Sequence, residues 1–412
     1  MAFVKSKTLY TVTSAGSYEA LNTVLGEVFL TADRNGMFSF AEYRTAILSP
    51  ISTRVTRMFI LNEDETIRDD ISEFLVNGTI TMSQASGVRK TGTITLWNEN
   101  KMFSPNVINN LIWEGSKLRI DTGIYYNGYV FWQRQGVFVV HNPSDETEDN
   151  TVSFSVYDKF ALLDGTVSGK RDSEFKITVG TSVRDAIALC LKPDENDAYD
   201  TKTVIFPTKY ISQKTPYTID KEPNCTMGEI IIDLAKMISC DVYYNEMGNL
   251  VVFSDSDDIN YDTAPIQWIY TDKDGLTSYP TLACEFSKIA NKVTVTGAIE
   301  NGKQYRGVYE NTNPVTKHYT KNTYYLNDSN IIGDDLCLDR AKYEYKKNCR
   351  LNIQLKFVSV YLPHLLPDSV VLWSNAELGY RNEKFIINSL DVDLMNSTTA
   401  NMSLTYLEGL KI

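Results

Sequence analysis

The sequence predicts a mainly β protein that carries an α+β insertion in its middle. Apolar and polar residues alternate with a period of two from near residue 55 and again from near residue 285, with turn residues at short intervals. Between these regions the apolar period becomes helical, at 182–191 and 226–239. The chain also has 25 tyrosines, which suit half-exposed strands because the ring packs while the hydroxyl stays hydrated.

The first β region is predicted over residues 55–165, where Val55, Arg57, Phe59 and Leu61 alternate along one strand. Further strands are predicted at 79–82, 91–96, 118–126, 129–133, 136–141 and 151–157. Short strands with a turn every 8–12 residues or so are typical of an antiparallel sandwich or small barrel.

Residues 1–54 precede this region, and the sequence assigns them no role. A short helix is predicted at Ser17–Leu25. A strand pair is predicted at Val28–Leu30 and Met37–Phe40, joined by the turn signal Asn35-Gly36.

The α+β insertion is predicted over residues 166–284. Its two helices are Ser182–Leu191 and Thr226–Ser239. Thr226 is followed three residues later by Glu229, which is the spacing of a capping box. Next comes a predicted hairpin, with strands at 241–244 and 250–253 around Gly248.

The second β region is predicted over residues 285–412 and contains one long helix near 334–347. Its predicted strands are 292–297, 304–309, 351–362, 370–374, 383–392 and 401–407. The chain therefore has two β regions separated by the insertion.

Charge and composition exclude several classes of partner. The formal net charge is −12, and an acidic surface repels phosphates, so no specific nucleic-acid binding is expected. No apolar run approaches the roughly 20 residues of a membrane-spanning helix, and the first residues lack the pattern of a signal peptide.

The cysteines are scattered without a CxxC pair, which predicts reduced thiols in a cytoplasm. They are Cys190, Cys225, Cys240, Cys284, Cys337 and Cys349.

Motifs of catalysis are missing from the sequence. There is no nucleophile elbow, Walker loop, dinucleotide fingerprint or zinc-protease motif, so we expect no catalytic, cofactor-binding or metal-binding residue. The acidic runs 63–65, 145–149 and 255–258 lie in predicted turns, where solvation explains them. The run at 255–258 also lacks the glycine and the glutamate of an EF-hand. His141, His318 and His364 are far apart in the sequence, and none is expected to act as a base.

Three stretches, in this order along the chain, resemble the hub proteins of phage tails and related contractile injection systems. The first is Lys90–Asn98, followed by Phe103-Ser104-Pro105 and Leu118-Arg119-Ile120. The second runs from Gly136–Val140 to Val152–Lys159 and Leu162-Leu163. The third is Leu365–Val371 with Lys384–Leu390, in which Asp368-Ser369 stands where the family often has Gly-Asp. The helix and hairpin at 226–253 are also similar to small domains inserted in such hubs.

The resemblance implies a structural baseplate hub with two tail-tube-like antiparallel β-barrel or sandwich domains. Such hubs are homotrimers, whose ring joins the hexameric tail tube to the three-fold tail spike and lets DNA pass. The implied partners are the tail tube or distal tube protein, the tail spike or tip protein, the tape measure protein, and baseplate wedge or peripheral proteins. The implied location is the virion baseplate, after assembly in the host bacterial cytoplasm.

Two other classes of function remain open at this point. One is a receptor- or carbohydrate-binding tail-tip protein, in which tryptophan rings stack on sugars; binding to a glycan array tests it. The candidate rings are Trp97, Trp113, Trp132, Trp268 and Trp373. The other is a tail-tip enzyme such as a peptidoglycan hydrolase, against which the missing Cys/His and Glu/His arrangements count; a zymogram on cell walls tests that class.

Overall fold

The computed structural model describes most of the chain from residue 40 onward. The described residues are 40–105, 107, 110–146, 148–193, 198–254, 265–271, 278–284, 289–312, 322–348, 353–377, 379–395 and 398–406. Of residues 10–12, 18–20, 31–32, 284 and 346–348 only the backbone is described.

The first β unit consists of seven strands that follow a short N-terminal part. That part has strands β1 (Tyr10–Val12), β2 (Tyr18–Ala20) and β3 (Thr31–Ala32) and helix α1 (Phe40–Leu48). The unit itself has β4 (Thr53–Leu61), β5 (Ile67–Asp70), β6 (Leu75–Ser83), β7 (Lys90–Trp97), β8 (Lys117–Tyr126), β9 (Tyr129–Glu146) and β10 (Thr151–Asp158). All its pairings are antiparallel, and the order across the sheet is β5-β4-β8-β9-β10-β7-β6.

The insertion unit follows and has its own hydrophobic core. Its elements are β11 (Phe175–Ile177), α2 (Val183–Leu191), β12 (Ile219–Lys221), α3 (Met227–Met237), β13 (Asp241–Tyr244) and β14 (Leu250–Phe253). The predicted capping box is confirmed, because the Thr226 hydroxyl accepts from the Glu229 N–H and the Glu229 carboxylate accepts from the Thr226 N–H. The two predicted helices and the hairpin are confirmed as well.

The second β unit is assembled from two separated parts of the chain. The first part contributes strands β15 (Ile266–Thr271) and β16 (Thr281–Cys284). After these the chain forms a small sheet unit of β17 (Lys292–Glu300), β18 (Lys303–Glu310), β19 (Thr323–Asn327) and helix α4 (Asp334–Asn348), with its own core. The second β unit then resumes with β20 (Ile353–Val360), β21 (Val370–Asn375), β22 (Tyr380–Asp393) and β23 (Thr399–Tyr406).

Both β units share one 14-stranded sheet and one hydrophobic core within the described residues. The predicted fold class, mainly β with an α+β insertion, is confirmed. Sheet membership differs from the predicted boundaries in two places. Strands β15 and β16 were assigned to the insertion at 166–284, but they pair with β21 and β20 of the second β unit. The predicted region 285–412 also includes the small sheet unit, which forms a separate sheet.

The N-terminal part also departs from expectation. Residues Tyr18–Ala20, inside the predicted helix Ser17–Leu25, form a strand. Phe40 was predicted as the end of a strand and begins helix α1 instead, whose buried residues Tyr43, Ala46 and Ile47 pack on the shared core. The predicted strand Val28–Leu30 and residues 37–39 lie outside the described residues.

Candidate assembly interface

The two histidines that the structure describes, His141 and His364, have different partners and share no site. His364 is fully buried, and its ring nitrogens lie 3.1 Å from the Tyr43 hydroxyl and 3.2 Å from the Gln267 carbonyl oxygen. Burial lowers the pKa of His364 to about 4, so the ring is neutral and links α1 to the second β unit. His141 is far from it on β9, where its Nδ1 lies 2.5 Å from the Glu114 carboxylate. His318 lies outside the described residues.

Among the described residues no group of three or more His, Cys, Asp or Glu side chains could hold a metal ion. Cys190, Cys225, Cys240 and Cys337 are reduced, and burial raises the pKa of the Cys190 thiol. The side chains of Cys284 and Cys349, and the acidic run 255–258, lie outside what the structure describes. No described helix has the length and hydropathy to cross a membrane.

One acidic residue contradicts the prediction of a solvated turn. Glu65, in the turn between β4 and β5, is largely buried and forms ion pairs with Lys159 and Lys202. The Lys159 ammonium is fully buried and also contacts the Asp200 carboxylate at 2.8 Å and the Gly248 carbonyl at 3.0 Å. The Lys159 cluster thus holds the β4–β5 turn of the first β unit against the insertion unit. Buried lysines need such partners because an unpaired charge is costly to desolvate.

A second buried ion pair joins three parts of the molecule. Arg89, just before β7, forms a salt bridge with Asp368, in the loop before β21, and both side chains are almost fully buried. The Arg89 guanidinium also lies 3.9 Å from the centre of the Tyr243 ring on β13. Arg89 therefore connects the first β unit, the second β unit and the insertion unit. Asp368 has φ +70°, a left-handed conformation that glycine, asparagine and aspartate adopt most readily.

Next to this ion pair lies a buried carboxylate. Asp158, the last residue of β10, accepts hydrogen bonds from the N–H groups of Arg89, Lys90 and Phe160 at 2.7–3.0 Å. Burial raises the pKa of Asp158 to about 6 in spite of these donors. Asp158 thereby fixes the start of β7 against the end of β10.

The two β units are joined by direct strand pairing. Strand β6 pairs antiparallel with the last third of β22, from Ser389 opposite Ser83 to Asp393 opposite Thr79. Backbone hydrogen bonds extend the ladder at both ends, at 2.6 Å between Gln84 and Asn388 and at 2.8 Å between Leu394 and Gly78. A side chain at Gly78 would collide with Leu394, since a Cβ there would lie 2.9 Å from its Cδ1. The junction is thus closely packed and contributes to the shared core.

The strand order of the two units is the same. Apart from β5, which has no counterpart among the described strands, the first unit reads β4-β8-β9-β10-β7-β6, and the second reads β15-β21-β22-β23-β20-β16. In both units the strand that comes first along the chain stands at one end of this order, and the strand that comes second stands at the other end. Strand β6 therefore corresponds to β16, and β9 to β22. The one difference in direction is that β4 pairs antiparallel with β8, whereas β15 pairs parallel with β21. The chain therefore carries two copies of one β arrangement.

The tryptophans divide between core and surface. Trp268 and Trp373 are buried in the shared core. Trp97 and Trp113 are about half exposed, at 43% and 51%. Trp132 is partly exposed, so three of the five described tryptophans have ring surface open to solvent.

Comparison with solved structures places this fold among phage tail proteins. The 43 kDa tail protein of prophage MuSo2 from Shewanella oneidensis superposes with a TM-score of 0.57 at 14% identity, covering 86% of this chain and 99% of that one. The tail protein from Neisseria meningitidis MC58 gives 0.56 at 12% identity, over 85% and 96% of the two chains. Prophage tail protein gp18 from Listeria monocytogenes EGD-e gives 0.51 at 12% identity, over 85% and 94%.

No sequence profile of a protein family and no curated protein sequence matches the chain. The likeness is therefore one of fold, and it extends over most of each tail protein. The resemblance to phage tail proteins inferred from the sequence is confirmed at this level.

Sequence reasoning did not identify the residues that hold the units together. Arg89, Asp158, Lys159 and Asp368 lie at the ends of strands or in loops, and each meets partners distant in sequence. Asp158, Lys159 and Asp368 did fall within the stretches that carry the resemblance. A charged residue at the end of an otherwise apolar strand was the one local signal available for them.

Proposed function

We propose that this chain is a structural hub of a phage tail or phage-like particle. Three copies form a ring that joins the hexameric tail tube to the three-fold tail spike and lets DNA pass. The observation that carries the proposal is the repeated strand order of the two β units. Three chains with two such units each present six similar units around one axis, which matches a six-fold tube on one face while the ring keeps three-fold symmetry.

The fold likeness to prophage tail proteins supports the same assignment. On this proposal the neighbours of the ring are a tail tube or distal tube protein, a tail spike or tip protein, a tape measure protein, and baseplate wedge or peripheral proteins. The chain acts in the virion after assembly in the host cytoplasm and has no catalytic role. The net charge of −12 suits a channel through which DNA passes without binding.

Electron cryomicroscopy of the particle that carries this chain tests the proposal. We expect density for the chain at the end of the tail tube, in three copies. Density on side fibres, or absence from the tail, would contradict it.

Exposed Trp97 and Trp113 support a second candidate, a receptor- or carbohydrate-binding tail-tip protein. A glycan array probed with the full chain and with Trp113→Ala separates the two. Binding that is lost in Trp113→Ala favours the receptor role, and no binding by either chain favours the hub.

A further inference from the structure

Strand β22 is long enough to pair with two strands along one of its sides. Its first part pairs with β21, from Tyr380 to Ile386, and residues 389–393 then pair with β6. The corresponding strand β9 pairs with β8 only as far as Val139. Beyond Val139, the Val140 N–H donates to the Ser116 carbonyl and the Val140 carbonyl accepts from the Gly115 N–H. The Asn142 N–H donates to the Glu114 carboxylate. Residues 143–146 have no strand on that side among the described residues, although 144–146 pair with β10 on the other side.

Strand β16 has the complementary feature. It pairs with β20 on one side, and no described strand lies along its other side. Leu282 is 38% exposed there, while its counterpart in β6, Ile80, is fully buried by the pairing with β22. Thr281 and Ala283 are exposed as well. An open strand edge offers unpaired N–H and C=O groups that favour pairing with another chain.

Strands β7 and β20 have eight residues each, as do β10 and β23, so aligning their ends shows which positions of the two units correspond. Each unit contains a row of four opposed residues across equivalent strands. The rows are Ile80, Gly92, Val156, Val140 and Leu282, Leu355, Leu404, Ile387. Leu282 therefore stands where Ile80 stands in the other unit.

The same reasoning locates the partner of Leu282. Within the chain, Ile80 lies opposite Val392, which in turn lies opposite Ala400 on β23. Ala400 corresponds to Val152 on β10, since each lies four residues before its member of the row. Val152 lies opposite Asp145, so Asp145 is the counterpart of Val392.

We propose that β16 of one copy pairs antiparallel with residues 143–146 of β9 in a second copy of this chain. The contact repeats between chains the β6–β22 contact within the chain. In this register Ala283 lies opposite Ser144, Leu282 opposite Asp145 and Thr281 opposite Glu146. The proposal rests on the proposed ring and names the surface through which its copies associate.

The contact has the symmetry that a ring requires. Each copy gives one donor edge, β16, and one acceptor edge, residues 143–146, and the two are different surfaces. Contacts between different surfaces generate a closed ring when the rotation closes.

Disulfide trapping in the purified full chain tests the register. Residues directly opposite in an antiparallel pair have Cα atoms about 4.5–5.5 Å apart, within the reach of a disulfide. We expect Ala283→Cys with Ser144→Cys to form disulfides between copies under mild oxidation, giving two-chain and three-chain bands on a non-reducing gel. The matched control is Thr81→Cys with Asp391→Cys, which occupy the same ladder position within one chain and are equally exposed. That pair forms a bond inside one chain.

A second control displaces the register by two residues. Thr281→Cys with Ser144→Cys places the thiols on a diagonal, with Cα atoms about 7–8 Å apart and outside disulfide range. Ser144→Cys alone measures any bond to native thiols such as Cys284. Peptide mapping of the cross-linked bands identifies the bonded residues.

The outcomes separate this proposal from the proposed function. No bond between copies in Ala283→Cys with Ser144→Cys, while the Thr81/Asp391 control bond forms, overturns the edge pairing. Equal cross-linking by the displaced pair overturns the register. A ladder longer than three chains supports the edge pairing and overturns the three-copy ring. A matched cross-link in a chain that imaging places outside a tail supports the edge pairing and overturns the proposed function.

Discussion

The two β units have the same strand order but differ in what covers their edges. In the first unit, β6 is paired with β22 and its residues are part of the shared core. In the second, the corresponding β16 is short and has one open side among the described residues. At β6 this pairing geometry joins the two β units within the folded chain. We propose that at β16 the same geometry joins neighbouring copies. Substitutions at equivalent positions are therefore expected to affect different properties.

The largest effect is expected where the two units and the insertion unit meet. Arg89→Ala leaves the Asp368 carboxylate buried without its partner, which costs about 3–5 kcal/mol of unfolding free energy. Urea denaturation followed by tryptophan fluorescence measures the change.

The control for Arg89→Ala is Lys221→Ala, which removes a partly exposed ion pair with Asp233. Such pairs contribute under about 1 kcal/mol, so this variant should unfold close to the wild type. Similar losses in both variants would remove the Arg89–Asp368 pair from the account of how the units are joined.

A pair of equivalent positions separates folding from association. Ile80→Ala opens a cavity in the shared core and is expected to cost about 2–5 kcal/mol. Leu282→Ala, at the matching place in β16, removes a partly exposed side chain and should leave the stability of the isolated chain nearly unchanged. We expect it to weaken self-association, measured by sedimentation at several concentrations. The reverse pattern of effects would contradict the assignment of the two edges.

Two buried groups give opposing pH dependences. The pKa of Asp158, raised to about 6 from an ordinary value of about 3.9, adds stability that is fully present below about pH 4 and lost as pH rises through 6. The pKa of His364, lowered to about 4 from about 6.5, adds stability that is present above about pH 6.5 and lost as pH falls through 4. Each shift of roughly two units corresponds to about 3 kcal/mol.

Variants at these two residues should therefore change the pH slope in opposite directions. On acidification from about pH 6.5 to 4, Asp158→Asn should lose stability more steeply than the wild type, and His364→Gln less steeply. Denaturation curves at a series of pH values measure both slopes. Three parallel slopes would show that neither group titrates differently in the folded and unfolded states.

The smallest effect is expected inside the insertion unit, which has its own hydrophobic core. Thr226→Ala removes the hydroxyl of the capping box and should destabilise by about 1 kcal/mol. Disulfide trapping between β16 and β9 should be unaffected. Loss of trapping in this variant would mean that the insertion unit controls the edge.

Local signals in the sequence were enough to predict the insertion unit. The helices α2 and α3 and the hairpin β13–β14 depend on apolar spacing, a capping box and a glycine turn, all within about ten residues. Period-two alternation likewise indicated strands in both β units. Alternation does not specify which sheet a strand joins, so it could not show that β15 and β16 pair with strands of the second β unit.

The parts that could not be predicted depend on distant partners. The second β unit is interrupted by a small sheet unit with its own core, and nothing local distinguishes the strands of one from those of the other. Glu65 looked like part of a solvated turn, and its burial follows from Lys159, 94 residues away. Helix α1 was missed although Phe40, Tyr43 and Ile47 have helical spacing, because the turn signal before them favoured a hairpin.

The central claim is that copies of this chain repeat their internal strand pairing to build a ring of like units. Electron cryomicroscopy of the assembled particle tests it most directly. The account expects three copies of the chain in one ring, six similar β units around the axis, and β16 of each copy paired with residues 143–146 of the next. Six copies in the ring, or an unpaired β16 in the assembled particle, would contradict it.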